Sequence, residues 1–351
     1  MTQGELETDI KTAAQNDGPD NPHGHRKPNQ LVQLLTILGE QGYRFTTVTP
    51  LSHHRFLTKN CAHAKNLQDI FGWSMPFEMS ILSPSLQRVI IEAELAQPIN
   101  GERDAHDLQH SHWKSAARVS SLGNDLLLHS AFPTSSADAV FFGPDTYRFA
   151  RFIRQTLHHP HVPSQHNSGR PLRVLDIGCG SGAGALAVAR SLRERDFNLT
   201  LNDINPVALK YAQANMAAAE LNANFLLGDV FTTDHGLFDL IISNPPYMKD
   251  SAGRAYRDGG DRLGLDFSLR LAQHCVRHLA PGGQLILYSG VAMTTQTDPF
   301  LDELTPLLTK TGCKWSYEEI DPDVFGEELE QPAYAAAHRI AAVGLVVTRS
   351  H

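Results

Sequence analysis

The sequence predicts an α/β fold, a Rossmann-like sheet of seven strands that follows a smaller mixed α/β region. Short apolar segments alternate with helix-period segments from residue 172 onward, which is typical of a doubly wound sheet. A glycine-rich turn at 176–182 joins the first of these strands to the first helix. Two apolar segments close the chain with no helix-length pattern between them. They predict an antiparallel pair of strands at one edge of the sheet.

The strands and helices of the sheet can be assigned in order. The strands are expected at residues 173–177, 198–203, 223–227, 238–243, 284–288, 314–320 and 340–348. Apolar residues three or four positions apart predict helices between them, at 184–192, 206–216, 265–279 and 301–308. Asn205 is suited to cap the second of these helices, with Pro206 at its first position. The stretch Pro281-Gly282-Gly283 is expected to end the third helix before the fifth strand begins.

The chain is predicted to divide near residues 28 and 140. Residues 1–28 are polar and lack an apolar core, so we expect a disordered leader. Residues 29–140 combine helix-period segments with two apolar runs around Gly123-Asn124, a pattern that favours a β-hairpin. We therefore expect a mixed α/β N-terminal domain at 29–140 and the sheet domain at 141–351.

Charge and cysteine content argue against some classes of function. The formal net charge is −8, and residues 29–140 hold 8 Lys and Arg against 10 Asp and Glu, while residues 141–351 hold 19 against 23. A chain that binds many phosphates usually carries a basic stripe, so this balance argues against nucleic acid as a partner. Four widely spaced cysteines fit a reducing cytoplasm, and no apolar run is long enough to span a membrane. The oligomeric state is left open.

The turn after the first strand is predicted to bind a cofactor. Its glycines permit a tight turn and let a ligand approach the backbone, and the N-terminus of the following helix attracts a carboxylate. The glycine spacing also fits a dinucleotide loop, and the turn alone does not choose between the two. The cysteine in the turn is expected to act through its backbone and not as a nucleophile. The predicted cofactor-binding residues here are Asp176, Gly178, Cys179, Gly180, Ser181 and Gly182.

Acidic residues also end the next two strands. Asp203 ends the second strand, where a carboxylate can accept hydrogen bonds from ribose hydroxyls. Asp229, followed by Val230, ends the third strand, where it can meet an adenine amino group. Taken alone, Asp203 could also be a turn or helix-capping residue. Three acidic residues at successive strand ends favour a nucleoside with an amino-acid tail, and S-adenosylmethionine is such a molecule.

The fourth strand leads directly into the tetrapeptide Asn244-Pro245-Pro246-Tyr247. Ligands bind at this carboxyl edge of a doubly wound sheet. The prolines stiffen the turn while their carbonyls stay free to accept, Asn244 adds a side-chain acceptor, and Tyr247 adds a flat face. The alternative interpretation is a purely structural Pro-Pro turn, and the position after the fourth strand argues against it.

These groups suit a planar NH2 nitrogen, either an amide or an amino group on a ring. The side-chain oxygen of Asn244 and the carbonyl of Pro245 can accept its two N–H bonds and aim its lone pair at a methyl group on a sulfonium. Orientation and proximity then supply most of the rate. Because the nitrogen becomes acidic as it is alkylated, we expect no strong base, no metal and no covalent intermediate.

Residues 141–351 resemble the class I S-adenosylmethionine-dependent methyltransferases, and among them the HemK family of release-factor glutamine N5-methyltransferases. The motif Pro144-Asp145-Thr146 is similar to one that precedes the sheet in that family. Five longer segments carry the resemblance: VLDIGCGSGAGALAVA (174–189), NDINPVALKYAQANM (202–216), FDLIISNPPY (238–247), RDGGDRLGLDFSLRLA (257–272) and LAPGGQLILYSG (279–290).

The resemblance implies a seven-stranded methyltransferase sheet, S-adenosylmethionine as cofactor, and a tetrapeptide that holds the target amide. It gives no role to the segment around Gly259. It does not extend to residues 29–140, which are longer than the short helical domain of the family, and Phe142-Gly143 replaces the basic residue that the family carries before this motif. Beyond the glycine turn, the residues that it places near the cofactor are Thr146, Asp203, Asp229, Val230 and Asn244.

Four functions remain open at this point. The leading one is methylation of a glutamine amide in a release-factor-like protein. The others are methylation of a base amino group in RNA or DNA, methylation of a small molecule, and cofactor binding without catalysis. Both predicted motifs lie after residue 170, so residues 29–140 are expected to recognise a macromolecular substrate and to contribute nothing to the chemistry. A basic face on that region would favour nucleic acid over protein.

Overall fold

The computed structural model describes residues 29–60, 63–99, 112–158, 170–232, 236–250, 253–254, 256–294 and 297–350. The predicted leader at 1–28 lies outside these residues. Within the described ranges, no helix is both long and apolar enough to cross a membrane.

The secondary structure of the described residues follows in chain order. The helices are α1 (Gln30–Glu40), α2 (Pro50–Lys59), α3 (Leu67–Phe71), α4 (Pro84–Glu92), α5 (Pro144–His158), α6 (Ala183–Ser191), α7 (Pro206–Ala218), α8 (Asp261–His278) and α9 (Pro299–Thr311). Short 3-10 turns lie at Met79–Ile81, Gly326–Glu330 and Pro332–Tyr334. The strands are β1 (Phe77–Glu78), β2 (Ala96–Pro98), β3 (His112–Ser115), β4 (Ala117–Leu122), β5 (Asp125–Ser130), β6 (Leu172–Ile177), β7 (Phe197–Asp203), β8 (Asn224–Leu227), β9 (Phe238–Ser243), β10 (Leu279–Met293), β11 (Lys314–Asp321) and β12 (Arg339–Thr348).

The large sheet has seven strands in the order β11-β12-β10-β9-β6-β7-β8. From β10 to β8 all neighbours pair in parallel, whereas β12 runs antiparallel to both of its neighbours. The predicted seven-stranded sheet and its antiparallel closing pair are therefore confirmed. The strand order reverses between β6 and β9, and ligands of open α/β sheets bind in the crevice at such a reversal.

Helices cover both faces of this sheet. Adjacent residues of β6 point to opposite sides: Val174 packs in the cluster that contains α5, α6 and α7, and Leu175 packs in the cluster that contains α8 and α9. The central strand β9 is buried along its whole length. Burial on both faces explains why the central strands lack the apolar-polar alternation of a half-exposed strand.

Two elements differ from the sequence-based expectation. The strand β10 begins at Leu279, directly after α8, so the glycine-rich stretch 281–283 lies inside the strand and does not separate it from the helix. Its pairing with β9 shifts register between Leu279 and Gln284, which accommodates the extra residues. The helix α5 is not predicted by the sequence pattern, and its first turn carries Asp145 and Thr146 into the interior.

The N-terminal region is mixed α/β, as predicted. The expected hairpin forms between β4 and β5, and β1, β3 and β2 make a second small sheet. Its apolar core does not end at residue 140, because one face of α7 belongs to the same cluster. The residues that α7 contributes are Ala208, Tyr211 and Ala214. The division at residue 140 thus remains a prediction, and the two regions share a core.

The side chain of Asn215 joins the N-terminal hairpin to the glycine turn. It is fully buried on α7. Its oxygen accepts from the N–H of Leu128 at 2.8 Å, and its nitrogen donates to the carbonyls of Leu128 at 3.0 Å and Ser181 at 2.9 Å. Leu128 lies in β5 and Ser181 lies in the glycine turn, so the hairpin is structurally coupled to the predicted cofactor site.

Candidate active site

A cavity of about 520 Å³ lies at the carboxyl ends of β6, β7 and β9, where the strand order reverses. It brings together residues that are far apart in the sequence. Their individual roles remain predictions. The predicted site residues that line it are Thr146, Asp176, Gly178, Cys179, Gly180, Ser181, Asp203, Asp229, Val230, Asn244, Pro245, Pro246 and Tyr247.

The glycine turn leaves open space above its backbone. Gly178 and Gly180 have φ angles of +63° and +53°, in the left-handed region that favours glycine. A Cβ atom added to either residue would meet no described atom within 4 Å. Both residues line the cavity, so a ligand can approach their backbone closely.

Gly182 differs from the other predicted residues of the turn, since it is absent from the described lining of the cavity. It precedes α6 with a φ of +79°. A Cβ there would lie 3.1 Å from Cε of Met216 and 3.2 Å from Cδ2 of Leu201, both in the core. The space beside the α-carbon of Gly182 is thus filled by core side chains, which explains why glycine is needed there, and its cofactor contact stays a prediction.

Two carboxylates hold the turn in place. Asp203 accepts from the N–H groups of Gly180 and Asn205, each at 2.9 Å, and Asp176 accepts from the N–H of Ala185 at 2.9 Å. Burial raises the pKa of Asp203, and it raises the pKa of Asp176 to about 7. Asp203 thus has the turn-holding role that was the alternative interpretation. Its oxygens retain lone pairs for the predicted ribose contact.

The thiol of Cys179 is poorly suited to react. It is buried, and its Sγ lies 3.9 Å from the carbonyl oxygen of Gly180. Burial, with a smaller contribution from Asp176 and Asp203, raises the pKa of the thiol well above its ordinary value. Because the thiolate is the nucleophilic form, these surroundings favour the backbone role predicted for this residue.

Apolar surface lies beside the carboxylates that end β7 and β8. Asp229 is exposed, with one oxygen accepting from the N–H of Phe231 at 2.9 Å, and Val230 next to it is buried. Ile204 directly follows Asp203 and is 58% exposed where it lines the cavity. An exposed isoleucine at this point offers a flat apolar contact to a nucleobase. Ile204 is not among the site residues predicted from the sequence, although its position directly after a strand-ending carboxylate is a signal for it.

The tetrapeptide presents an unpaired acceptor. Oδ1 of Asn244 is buried and has no hydrogen-bond partner among the residues that the structure describes. The hydroxyl of Ser243 donates to the carbonyl of Ile177 at 2.8 Å, which fixes the end of β9 to β6. Buried polar atoms are rarely left unpaired in folded proteins. The orphaned oxygen therefore indicates a place for an N–H donor from a ligand.

The ring of Tyr247 is held on several sides. Its hydroxyl donates to the carboxylate of Asp145, and Phe325 packs against it with ring centroids 6.2 Å apart. A Cβ at Gly290 would lie 2.3 Å from the ring, so only glycine fits there. Asp145 belongs to the motif at 144–146, but the sequence pattern predicts no role for it. Its neighbour Thr146 lines the cavity, and its Oγ1 accepts from the N–H of Gly143 at 3.2 Å.

Two glycines allow the segment 257–264 to pack against the tetrapeptide. Gly264 has a φ of +91°, and a Cβ there would lie 2.3 Å from the carbonyl oxygen of Tyr247. A Cβ at Gly259 would lie 2.0 Å from the carbonyl oxygen of Gly264. The N–H of Gly259 donates to the carbonyl of Met248 at 2.8 Å. This segment, to which the resemblance gives no role, therefore supports the tetrapeptide.

The segment that leaves the N-terminal hairpin forms another wall of the cavity. Residues 139–141 line it. The carbonyl of Asp138 accepts from Nδ2 of Asn205 at 2.7 Å, and the carbonyl of Thr134 accepts from the hydroxyl of Tyr256 at 2.8 Å. Part of the region assigned to substrate recognition thus borders the predicted cofactor site. That this region contributes nothing to the chemistry stays a prediction.

These surroundings fit S-adenosylmethionine. Open backbone at a helix N-terminus suits its carboxylate, Asp203 suits its ribose, and Ile204 with Val230 suits its adenine. The strand order and the position of the glycine turn agree with the fold expected from the resemblance to the class I S-adenosylmethionine-dependent methyltransferases. S-adenosylmethionine is the cofactor that fits this site.

Comparison with known proteins agrees with this class and with the likeness to the HemK family. Residues 159–303 match the family model of the methyltransferase small domain. The release factor glutamine methyltransferase of Koribacter versatilis is 34% identical over 146 residues, which cover 38% of this chain and 51% of that protein. The same enzyme of Deinococcus radiodurans is 32% identical over 165 residues, which cover 44% of this chain and 55% of that protein.

A second kind of relative is also similar to this chain. The ribosomal RNA small subunit methyltransferase C of Escherichia coli is 36% identical over 120 residues, which cover 34% of this chain and 31% of that protein. The chain thus spans about half the length of the release factor methyltransferases and about a third of the RNA methyltransferase. Protein and RNA methyltransferases are both similar to it.

Proposed function

We propose that the protein transfers a methyl group from S-adenosylmethionine to a planar NH2 nitrogen, the side-chain amide of a glutamine in a release-factor-like protein. The observation that carries this proposal is the buried, unpaired oxygen of Asn244 in the wall of the cavity. A primary amide carries two N–H donors in one plane, and it can satisfy that oxygen and the carbonyl of Pro245 together.

The cofactor supplies a methyl group on a sulfonium, which is electrophilic without further activation. The residues of the chain bind the target and orient its nitrogen. Asn244 and Pro245 accept the two N–H bonds of the target and direct its lone pair, and the face of Tyr247 limits where the plane of the amide can lie. Holding a weak nucleophile in a reactive geometry accounts for most of the rate under this proposal.

The charges near the acceptor end of the cavity support a protein target. Every Lys and Arg between residues 249 and 257 has a carboxylate partner, and phosphate-binding cations are usually left free for the ligand. Neutralised cations offer little to a nucleic-acid backbone. The pairs are Lys249–Asp261 at 3.0 Å, Arg254–Asp250 at 2.5 Å, and Arg257–Glu328.

We assign substrate recognition to residues 29–140 as part of the same proposal. The region has its own helices and sheets, and its last residues reach the cavity. A protein target needs a docking surface of this kind. A cytoplasmic location also belongs to the proposal, and the free thiols of Cys179, Cys275 and Cys313 support it.

Methylation of a base amino group in RNA is the second candidate. Similarity to a ribosomal RNA methyltransferase favours it, and the same tetrapeptide chemistry serves a ring amino group. A base has to leave its stack to reach such a cavity. Phe141 and Tyr256 line the cavity with rings that are parallel within 5° and 6.2 Å apart, and aromatic rings of this kind can contact a flipped base.

The experiment that separates the two candidates uses radiolabelled methyl groups. The full-length protein is incubated with labelled S-adenosylmethionine and a bacterial lysate, and the product is digested with protease or with nuclease. We expect protease to release the label, as N5-methylglutamine after complete enzymatic digestion. Release by nuclease alone would replace the glutamine proposal with the RNA candidate.

A further inference from the structure

Asp145 occupies a position that the proposed chemistry does not use. It lies in the first turn of α5 and is 2% exposed. One carboxylate oxygen accepts from the hydroxyl of Tyr247, and the other accepts from the hydroxyl of Tyr288 at 2.9 Å. Arg148 donates to the same carboxylate at 3.0 Å and, with its other nitrogens, to Asp321 at 2.8 Å. A buried carboxylate is thus bonded on both oxygens.

The two tyrosines that share this carboxylate differ in one respect. Tyr247 belongs to the tetrapeptide and lines the cavity, whereas Tyr288 lies in β10 and is absent from the described lining. Their ring centroids are 6.4 Å apart. Asp145 itself also lines the cavity, but its two oxygens accept from the two tyrosine hydroxyls, and Tyr247 is the one of these tyrosines that lines the cavity. Tyr288 therefore serves as an internal control for the loss of an equivalent hydrogen bond.

We infer that Asp145 is a positioning residue, which fixes the plane of the Tyr247 ring at the acceptor end of the cavity through the tyrosine hydroxyl. Gly290 and Phe325 confine the ring from two sides, but neither can hold its outer end. The hydrogen bond from the tyrosine hydroxyl to Asp145 holds this outer end and so fixes the ring at a third position. This inference rests on the proposed role of the tetrapeptide in holding a planar NH2 group.

Proton transfer is not required of this carboxylate. Two phenols and a guanidinium surround it, and burial raises the pKa of both phenols far beyond the physiological range. The tyrosines therefore keep their protons and act as donors. Charge-assisted hydrogen bonds of this kind are strong and directional, which suits them to fix a ring. Arg148 and Asp321 hold the carboxylate itself in place.

The test compares four variants of the full-length protein: Asp145→Asn, Tyr247→Phe, their combination, and Tyr288→Phe. Initial rates are measured as label passing from S-adenosylmethionine into a fixed amount of bacterial protein extract, and S-adenosylmethionine is varied to separate apparent kcat from KM. Asp145→Asn and Tyr247→Phe are each expected to lower kcat about 10- to 100-fold, the range for a misplaced binding group, with KM changed less than about twofold.

The combined variant is expected to be no slower than the worse single variant, because both changes break one interaction. Tyr288→Phe is expected to keep kcat within about twofold of the wild type, because its hydroxyl does not act on the cavity. Additive losses in the combined variant, or an equal loss in Tyr288→Phe, would overturn the inference and make Asp145 a purely structural residue.

A second readout does not depend on the acceptor. The protein is labelled with 3-fluorotyrosine, and the fluorine resonance of Tyr247 is identified by its loss in Tyr247→Phe. Asp145→Asn is expected to shift and broaden this resonance, and an unchanged resonance contradicts the inference. If the wild type labels no protein while this resonance responds as expected, the proposed function fails and the positioning of Tyr247 stands.

Discussion

The backbone N–H of Gly180 donates to the carboxylate of Asp203 across 2.9 Å, joining the glycine turn to the end of β7. Both groups line the cavity, and Asp203 also fixes the N–H of Asn205 at the start of α7. One carboxylate thus shapes the turn and remains available to a ribose. A change at Asp203 should therefore weaken cofactor binding both by disturbing the glycine turn and by removing the predicted contact with the ribose.

Replacing Asp203 with alanine should weaken S-adenosylmethionine binding by about 10- to 150-fold, since a hydrogen bond to a charged group contributes about 1.5–3 kcal/mol. Isothermal titration on the purified variant measures the loss. Asp196→Ala, an exposed acid just before the same strand, is the matched control and should bind normally. Unchanged affinity in Asp203→Ala would reduce the residue to a turn-holding role.

Binding of S-adenosylmethionine should strengthen with pH because of Asp176. Burial raises the pKa of this carboxyl to about 7, above its ordinary value of 3.8. In the free protein the protonated form of Asp176 therefore adds to the free energy of unfolding below about pH 4, and this contribution is lost as the pH rises to about 7. A cationic ligand favours the charged carboxylate, so the affinity should rise from about pH 5.5 to about 8.

Titrations of the wild type and of Asp176→Asn with S-adenosylmethionine at several pH values test whether the affinity rises with pH. The substitution removes the ionisation while keeping a similar shape, so the rise should flatten in the variant. Equal pH profiles for the two proteins would show that another group is responsible.

Replacing Gly264 with alanine should disturb the tetrapeptide. The added Cβ would lie 2.3 Å from the carbonyl oxygen of Tyr247, and the backbone there has a φ of +91°. Gly312→Ala is a matched control, because its φ is +67° but a Cβ meets no described atom within 4 Å. We expect Gly312→Ala to lose about 1 kcal/mol of stability from backbone strain, Gly264→Ala to lose more because of the added clash, and only Gly264→Ala to lose most of its methyl transfer. Equal activity in the two variants contradicts the supporting role of segment 257–264.

Replacing Asn215 with alanine should destabilise the protein by about 3 kcal/mol, because buried backbone groups of Leu128 and Ser181 lose their partner. Urea unfolding measures the change, and Gln213→Ala, exposed on the same helix, is the control. We also expect weaker S-adenosylmethionine binding, since Ser181 lies in the glycine turn. If Asn215→Ala lowers stability but leaves affinity intact, the hairpin does not contribute to the cofactor site.

The central sheet could be predicted from the sequence because its signals are local. Strand β9 was placed at its observed bounds, and Asn205 caps α7 with Pro206 at the first position, as expected. Burial of β9 on both faces makes it mainly apolar, and helix starts carry their own capping residues. Such features depend only on a few consecutive residues.

The parts that escaped prediction depend on contacts between distant residues. Asp145 meets Tyr247 and Tyr288 at separations of 102 and 143 residues. The close approach of Gly264 to the tetrapeptide and the inward direction of Gly182 likewise arise from packing. A pattern of residue types shows that glycine is needed in these loops, but only the folded chain shows what each glycine touches.

The most direct test of the account concerns Asn244. Methyl transfer from labelled S-adenosylmethionine into a bacterial lysate is measured beside cofactor affinity, for the wild type and for Asn244→Ala. For Asn244→Ala we predict nearly unchanged affinity and a rate lower by about two to three orders of magnitude, the usual result of losing one positioned transition-state partner. A parallel fall in affinity and rate would place Asn244 in the cofactor pocket, and an unchanged rate would show that its unpaired oxygen does not hold the target nitrogen.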